Sequence, residues 1–395
     1  LTILAFFKYA GLFTNVFLVF APTAGNDPLV TLLKTIPLPI GISFYIFQGI
    51  SLVVDVYRNK QRPRPELEKL VHPNFFQHTY QVSFFIAFFP QLISGPIEKA
   101  HDFIPQIAAK QFRDIHWKQA FEFLVLGYFL KSVIADNLAT VTHYISYPRF
   151  MGFSSQTLIT LLYGYSFQIF ADFAGYSLIA RGLGLLFGYR LMQNFNFPYV
   201  SRSFAEFWNR WHISLSTWLR EYLYIPLGGN RQGAWKTYRN LFLVMFLGGL
   251  WHGAAWSYAV WGTAHGLLLA IERFLKNYIR PNPNWLFTKV WQTLVVFIWV
   301  SLLWLLFILP DFSQAYQYFI QMTTNFHGDQ TYFISLVSKT FILSLPVICF
   351  HIHYLLPPSV KTRFVQPIRP VIFSILLFLV LTNSGEGGAF IYFQF

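Results

Sequence analysis

Between Arg239 and Glu272 the chain carries no charged side chain, and this uninterrupted apolar run constrains its fold more than any other feature. A helix crossing a bilayer needs about 20 mostly apolar residues. Residues 241–271 therefore read as one long tilted helix or as two shorter pieces broken near Gly262. Two histidines lie inside the run: His252 within Gly248-Gly249-Leu250-Trp251-His252-Gly253, and His265 within Gly262-Thr263-Ala264-His265-Gly266. An ionisable side chain at such depth costs free energy and usually faces a polar cavity or a partner.

The rest of the chain has the same character. Of its 395 residues 55% are hydrophobic and 11% are charged, against about 25% charged in a soluble domain, which points to an integral membrane protein. The formal net charge of +13 does not imply nucleic acid, because the basic residues fall in the connections between apolar runs, as in cytoplasmic loops facing anionic lipid. The single cysteine, Cys349, excludes an intramolecular disulfide and a cysteine metal cluster. It reads as a small buried side chain in a membrane helix.

In chain order, residues 1–20 form a first apolar candidate, interrupted by Lys8, and 32–56 a second, in which Pro37-Leu38-Pro39 with Gly41 predicts a break or a late start. Arg58, Lys60, Arg62, Arg64 and Lys69 make a basic loop that marks a cytoplasmic face. Residues 82–97 are short and contain Pro90 and Gly95-Pro96, so they read as re-entrant, and 98–118 as interfacial. Further candidates are 121–139, 157–173 ending at Asp172, 290–309, 332–351 and 371–381, while 177–187 is too short to span alone. Residues 189–238 mix arginine and asparagine with aromatics and read as the functional connection. Within it Phe204, Phe207, Trp208, Trp211, Leu215, Trp218 and Tyr222 recur at helical spacing, the pattern of an amphipathic helix at a membrane interface. The sum is nine or ten membrane elements in one domain, residues 1–395, an all-α polytopic membrane protein.

His252 is the strongest candidate for chemistry. Its small neighbours allow a narrow cavity beside an imidazole that can take a hydroxyl proton and return it. Ser257 lies in no nucleophile elbow, so direct attack by an acceptor hydroxyl is the simpler scheme. On a single helix His265 stands about 20 Å and roughly 140° from His252 and does not share its site; packing and substrate contact are equally open to it. His351 and His353 face apart on a helix and suit a membrane boundary rather than a metal. Asp136 and Asp172 read as caps or as partners of an arginine such as Arg181. The glycines at 182, 184 and 188 follow no strand and make a poor nucleotide fingerprint.

Several of these stretches together resemble the membrane-bound O-acyltransferase family, and within it the bacterial alginate and peptidoglycan O-acetyltransferases. The resemblance rests on Leu38-Pro-Ile-Gly-Ile-Ser-Phe44 with Asp55-Val-Tyr-Arg58, on Phe89-Pro-Gln-Leu-Ile-Ser-Gly-Pro96 and on Asp172-Phe-Ala-Gly-Tyr-Ser177. It continues through Asn194-Phe-Asn-Phe-Pro198, Phe207-Trp-Asn-Arg-Trp-His-Ile-Ser-Leu-Ser216, Tyr224-Ile-Pro-Leu-Gly-Gly-Asn-Arg231 and Leu250-Trp-His-Gly-Ala254. It implies a ring of tilted transmembrane and re-entrant helices around a central tunnel, with His252 as the catalytic base. His212 then falls at the second polar position, which is Asn in many eukaryotic relatives. Asn209, Arg210, Trp211 and Trp251 are the candidate substrate contacts beside them. Arg202, Arg210 and Arg231 suit donor phosphates and lipid headgroups equally.

The resemblance further implies a cytosolic acetyl thioester, acetyl-CoA, as donor and no metal. The hydroxyl of an extracytoplasmic polysaccharide such as alginate or peptidoglycan would be the acceptor, reached through a periplasmic partner protein. The place would be the bacterial cytoplasmic membrane. Members usually begin with further apolar segments before Phe7-Lys8-Tyr9, so an N-terminal segment is expected to precede Leu1. The rival readings are a teichoic acid D-alanyltransferase fed by a carrier protein, a transporter using the tunnel without bond chemistry, and a membrane scaffold.

Overall fold

In the computed structural model, residues 2–21, 27–35, 39, 41–92, 95–276, 278, 285–327 and 333–388 are described, and their regular elements are all helices. Five are long and apolar enough to cross a membrane: Trp117–Ile145, Ser155–Leu186, Leu286–Ile308, Phe333–Leu355 and Pro358–Thr382. Trp291, Trp299, Phe341, Ile342 and Phe378 lie exposed on the last three. In water such a surface would aggregate; in lipid it is solvated. The chain is a multi-pass membrane protein.

These last helices run past the windows expected from the sequence at one end or both, because the lysines and arginines that flank an apolar window can sit on the helix with their charged heads at the interface. Lys289 extends one helix, and Lys361, Arg363 and Arg369 extend another through Pro370. Cys349, expected to be buried, is on the exposed face of Phe333–Leu355.

Residues 155–186, expected as a span ending at Asp172 and a separate short piece, form one helix of 32 residues. Asp172 does not stop it, because its carboxylate is buried and paired with Lys131 at 2.8 Å, and Lys131 also reaches Asp136 at 2.6 Å. Arg181, the expected partner, lies over the Phe123 ring instead. Lys131 projects from a π-helical turn, Phe129–Ala135, inside Trp117–Ile145. The two helices touch at glycine: a Cβ on Gly175 would come within 2.8 Å of the Gly127 carbonyl and the Lys131 amide.

At the N-terminal side, the break expected at Pro37 and Leu38 lies outside the described residues, between the helices Pro28–Thr35 and Ile42–Gln61. Asn74 caps Phe75–Ala87, which ends one residue before the Phe89–Leu92 turn. Ile93 and Ser94 are outside the described residues. Residues 95–99 then run irregular and buried, with the Ile97 amide donating to Ser214 Oγ at 3.0 Å and the Ala100 amide to Ser51 Oγ at 3.3 Å.

The charge-free run is a helical hairpin, Ala234–His252 and Trp256–Leu275. Its break is at Gly253-Ala254-Ala255, not near Gly262. Gly262 is the crossing point: a Cβ there would meet Gly249 Cα at 3.0 Å and the Met245 carbonyl more closely still. Glycine thus serves close packing here, and the turn forms where the helix runs out at His252.

Candidate active site

The stretch expected as one amphipathic interfacial helix is instead two short helices, Phe204–Arg210 and Ile213–Leu219, followed by a π-helical turn, Arg220–Tyr224. Its aromatic face turns inward to the core, with Phe207 and Trp211 almost fully buried. Periodicity continues across the break, so the sequence pattern alone hides it. At the break His212 has φ 44° and ψ 55°, the left-handed region that costs a β-carbon residue about 1–2 kcal/mol.

That strain is held by a bracket from residues 194–196. The Asn196 amide donates to the Arg210 carbonyl and the Ile213 amide to the Asn194 carbonyl, both at 2.9 Å. Asn194 Oδ1 accepts from Ser214 Oγ at 2.6 Å, and Asn194 Nδ2 donates to Ser177 Oγ at 2.9 Å on the long buried helix. His212 is fully buried, its ring edge-on to Phe173 at 4.6 Å.

His252 ends the first arm of the hairpin. Its ring centroid lies 6.3 Å from that of His212, 5.1 Å from Trp251, 5.2 Å from Trp261 and 5.3 Å from Phe307. The hairpin also overturns the separation expected on a single helix. His265 packs edge-on against Trp261 at 4.8 Å, so both histidines contact the same indole. Both ring nitrogens of His265 are buried without a hydrogen-bond partner among the described residues.

A cavity of about 250 Å³ reaches His252 between the 204–224 segment and the hairpin. Leu215, Leu219, Val244 and Leu269 make its walls apolar, while Asn209 and Arg220 are exposed members of its lining. Of the four expected substrate contacts, Asn209 lines this cavity. Trp251 borders His252 and packs on Phe44 and Phe47. Trp211 is taken up by packing on Phe195, Phe207 and Trp304. The Arg210 guanidinium pairs with Glu206 at 2.9 Å and donates to the Asn196 carbonyl and Tyr354 Oη.

Trp208 was read from the sequence only as part of an amphipathic face, and Trp261 was not singled out. Both line the cavity, and their indole N–H groups lack partners among the described residues. The signal that could have found them is a polar-headed aromatic facing glycine and histidine positions, but tryptophan is too common in this chain for it to stand out.

Beside the cavity, on the side of the basic loop, lies a charged cluster. Asp55 accepts from Tyr222 Oη at 2.7 Å, has His101 Nδ1 at 2.7 Å and lies 3.8 Å from Arg58. Arg58 also donates to the Glu221 carbonyl, and Lys99 pairs with the Glu221 carboxylate at 2.7 Å. The Asp55 carboxylate raises the pKa of His101 above its ordinary value, against the opposing effect of burial.

Two buried imidazoles 6.3 Å apart, of which His252 lines the cavity, can each offer one donor and one acceptor nitrogen. Residues 41–310, which hold both, match the family model described as MBOAT, membrane-bound O-acyltransferase family. The chain belongs to the membrane-bound O-acyltransferase family. This O-acyltransferase family member is 37% identical over 377 residues to a probable alginate O-acetylase of Azotobacter vinelandii, covering 93% of this chain and 69% of that protein. It is 43% identical over 304 residues to a probable alginate O-acetylase of Pseudomonas putida (76% and 59% covered). It is 36% identical over 336 residues to a peptidoglycan O-acetyltransferase of Helicobacter pylori (80% and 61% covered). The family member thus spans about three fifths to two thirds of the length of these relatives.

Proposed function

We propose that this protein moves an acetyl group from a cytosolic thioester to a hydroxyl acceptor on the way to an extracytoplasmic polysaccharide. The observation that carries the proposal is that His252 lines a cavity together with exposed Arg220, with the buried His212 ring 6.3 Å from His252. Arg220 adjoins Glu221, which the basic-loop residue Arg58 contacts, so the cavity opens near the face expected to be cytoplasmic. The similarity to alginate and peptidoglycan O-acetyltransferases supports acetyl as the group and a polysaccharide as its destination.

In this mechanism the acceptor hydroxyl gives its proton to the His252 imidazole as its oxygen bonds to the thioester carbonyl carbon. The carbonyl electron pair moves onto oxygen, and His212 donates to that oxyanion or orients the acceptor. Collapse restores the carbonyl, breaks the carbon–sulfur bond and returns the proton from His252 to the leaving thiolate. The product is an acetyl ester and a free thiol. The indole N–H groups of Trp208 and Trp261 suit the amide carbonyls of a pantetheine arm lying along the apolar walls. Acetyl-CoA is the donor in this reading, and a periplasmic partner protein carries the group on to polymer.

Donor identity separates this reading from the D-alanyl one. Purified protein in nanodiscs is incubated with radiolabelled acetyl-CoA or with a D-alanyl carrier protein, and free thiol and labelled ester are counted. Release of thiol from acetyl-CoA alone supports the proposal. Use of the carrier thioester alone moves the D-alanyl reading ahead, and passage of an unmodified solute with no thiol release would favour a transporter.

A further inference from the structure

The helix that carries His252 stops at that residue, and its final carbonyls have no backbone partner further along the helix. Gly253 is fully extended, at φ −166° and ψ 158°, so the chain leaves the helix axis at once. In a membrane protein such carbonyls need another donor, because lipid offers none. Here the donors come from the N-terminal helix Thr2–Phe20. Tyr9 Oη donates to the Leu250 carbonyl at 2.8 Å. Lys8 Nζ donates to the Trp251 carbonyl and to the His252 carbonyl, the latter at 3.3 Å. Three of the last four carbonyls are thus held by two adjacent side chains more than 240 residues away in sequence.

Lys8 is tied to a third helix as well. Its ammonium donates to Ser43 Oγ at 3.2 Å, and Ser43 precedes Phe44, whose ring packs edge-on against Trp251 at 5.5 Å. The ammonium stands 5.6 Å from the Trp251 ring centroid. Among the described residues no carboxylate lies within ion-pair distance of Lys8. Its charge is met instead by the negative end of the helix dipole, the arrangement in which a cation stabilises a helix C-terminus. A lysine on an apolar helix spent on this one helix end implies that the position of the end matters.

We propose that Lys8 is a positioning residue for His252, with Tyr9 as its auxiliary, so that the N-terminal helix is part of the active site. This rests on the acyl-transfer reading given above. Loss of the Lys8 contacts frees the terminal turn of the helix, and a displacement of about 1 Å at a reacting group is enough to cost about 10²-fold in rate. Donor binding along the cavity walls does not depend on Lys8, which is absent from that lining.

The test uses the full protein in nanodiscs and measures thiol release from acetyl-CoA by Lys8→Met, Lys8→Arg and Tyr9→Phe, each also combined with His252→Ala. The expected result is a fall in kcat of about 10- to 100-fold for Lys8→Met with KM within about twofold of wild type. Lys8→Arg, which keeps the charge and the donors, returns to within about fivefold of wild type, and Tyr9→Phe shows a smaller fall in kcat alone. In the His252→Ala background Lys8→Met has no further effect, because it acts through the missing residue. Unchanged kcat in a folded Lys8→Met protein, a change in KM alone, or equal losses with and without His252 would overturn the inference. Should Lys8→Met not fold, Tyr9→Phe decides: full kcat in that folded variant overturns it too. An inactive wild type would instead sink the acyl-transfer reading.

Discussion

His212 sits in a backbone conformation that few residues with a β-carbon adopt, and the surrounding hydrogen bonds hold it there. Asparagine, which the family resemblance gives at this position in eukaryotic members, is the residue other than glycine that enters the left-handed region most readily. The histidine's aromatic surroundings were legible in the sequence; its backbone was not, because no glycine or proline marks the break. Nothing in the sequence of the interfacial stretch 98–118 marked His101 as the partner of Asp55. Its pairing with Asp55 makes a prediction. A pKa raised in the folded state means that the pairing contributes fully below the ordinary histidine value of 6.5 and is lost as pH rises through the higher folded value. Thermal unfolding in detergent should therefore show the wild type losing stability from neutral to alkaline pH relative to His101→Gln. Parallel curves for the two proteins would contradict this.

At the scale of elements, hydropathy located the long spans and misjudged what interrupts them. Asp172 looked like an end and is an interior residue, since Lys131 from the neighbouring helix neutralises it. Gly262 looked like a break and is a packing surface. The true turn, at residues 253–255, was written in equally small residues, so composition could not tell the two apart. The difference is long-range: a glycine ends a helix when the following residues leave the axis, and it joins helices when a partner backbone arrives opposite. Gly262→Ala should consequently force Met245 and Gly249 away, destabilise the hairpin by about 1–3 kcal/mol and shift His252 from His212. Lowered unfolding temperature together with reduced thioester cleavage is the expected outcome. Gly253→Ala would be a poor comparison because its Cβ meets the Tyr258 ring; Gly233→Ala has open space but a left-handed φ of 92°. Gly152→Ala, with open space and ordinary φ, is the fitting control and should leave both measurements unchanged.

For the whole molecule, a buried histidine pair, a basic loop and an apolar cavity combine into one arrangement that no single segment announces. The motifs that carry the family resemblance are scattered from residue 38 to residue 254, and the fold gathers several of them around His212 and His252. Asp55 and Arg58 brace Tyr222 and Glu221, Asn194 and Ser177 brace the His212 turn, and Trp251 packs beside it. What the sequence could not convey is which of these residues face the cavity and which hold the others in place, as Arg210 does through Glu206, Asn196 and Tyr354. The measurement that bears most directly on the account is thiol release from labelled acetyl-CoA by wild type and by folded His252→Ala protein in nanodiscs. The account predicts that the wild type consumes donor and that the variant falls by about 10² or more; equal turnover by the two proteins would contradict it.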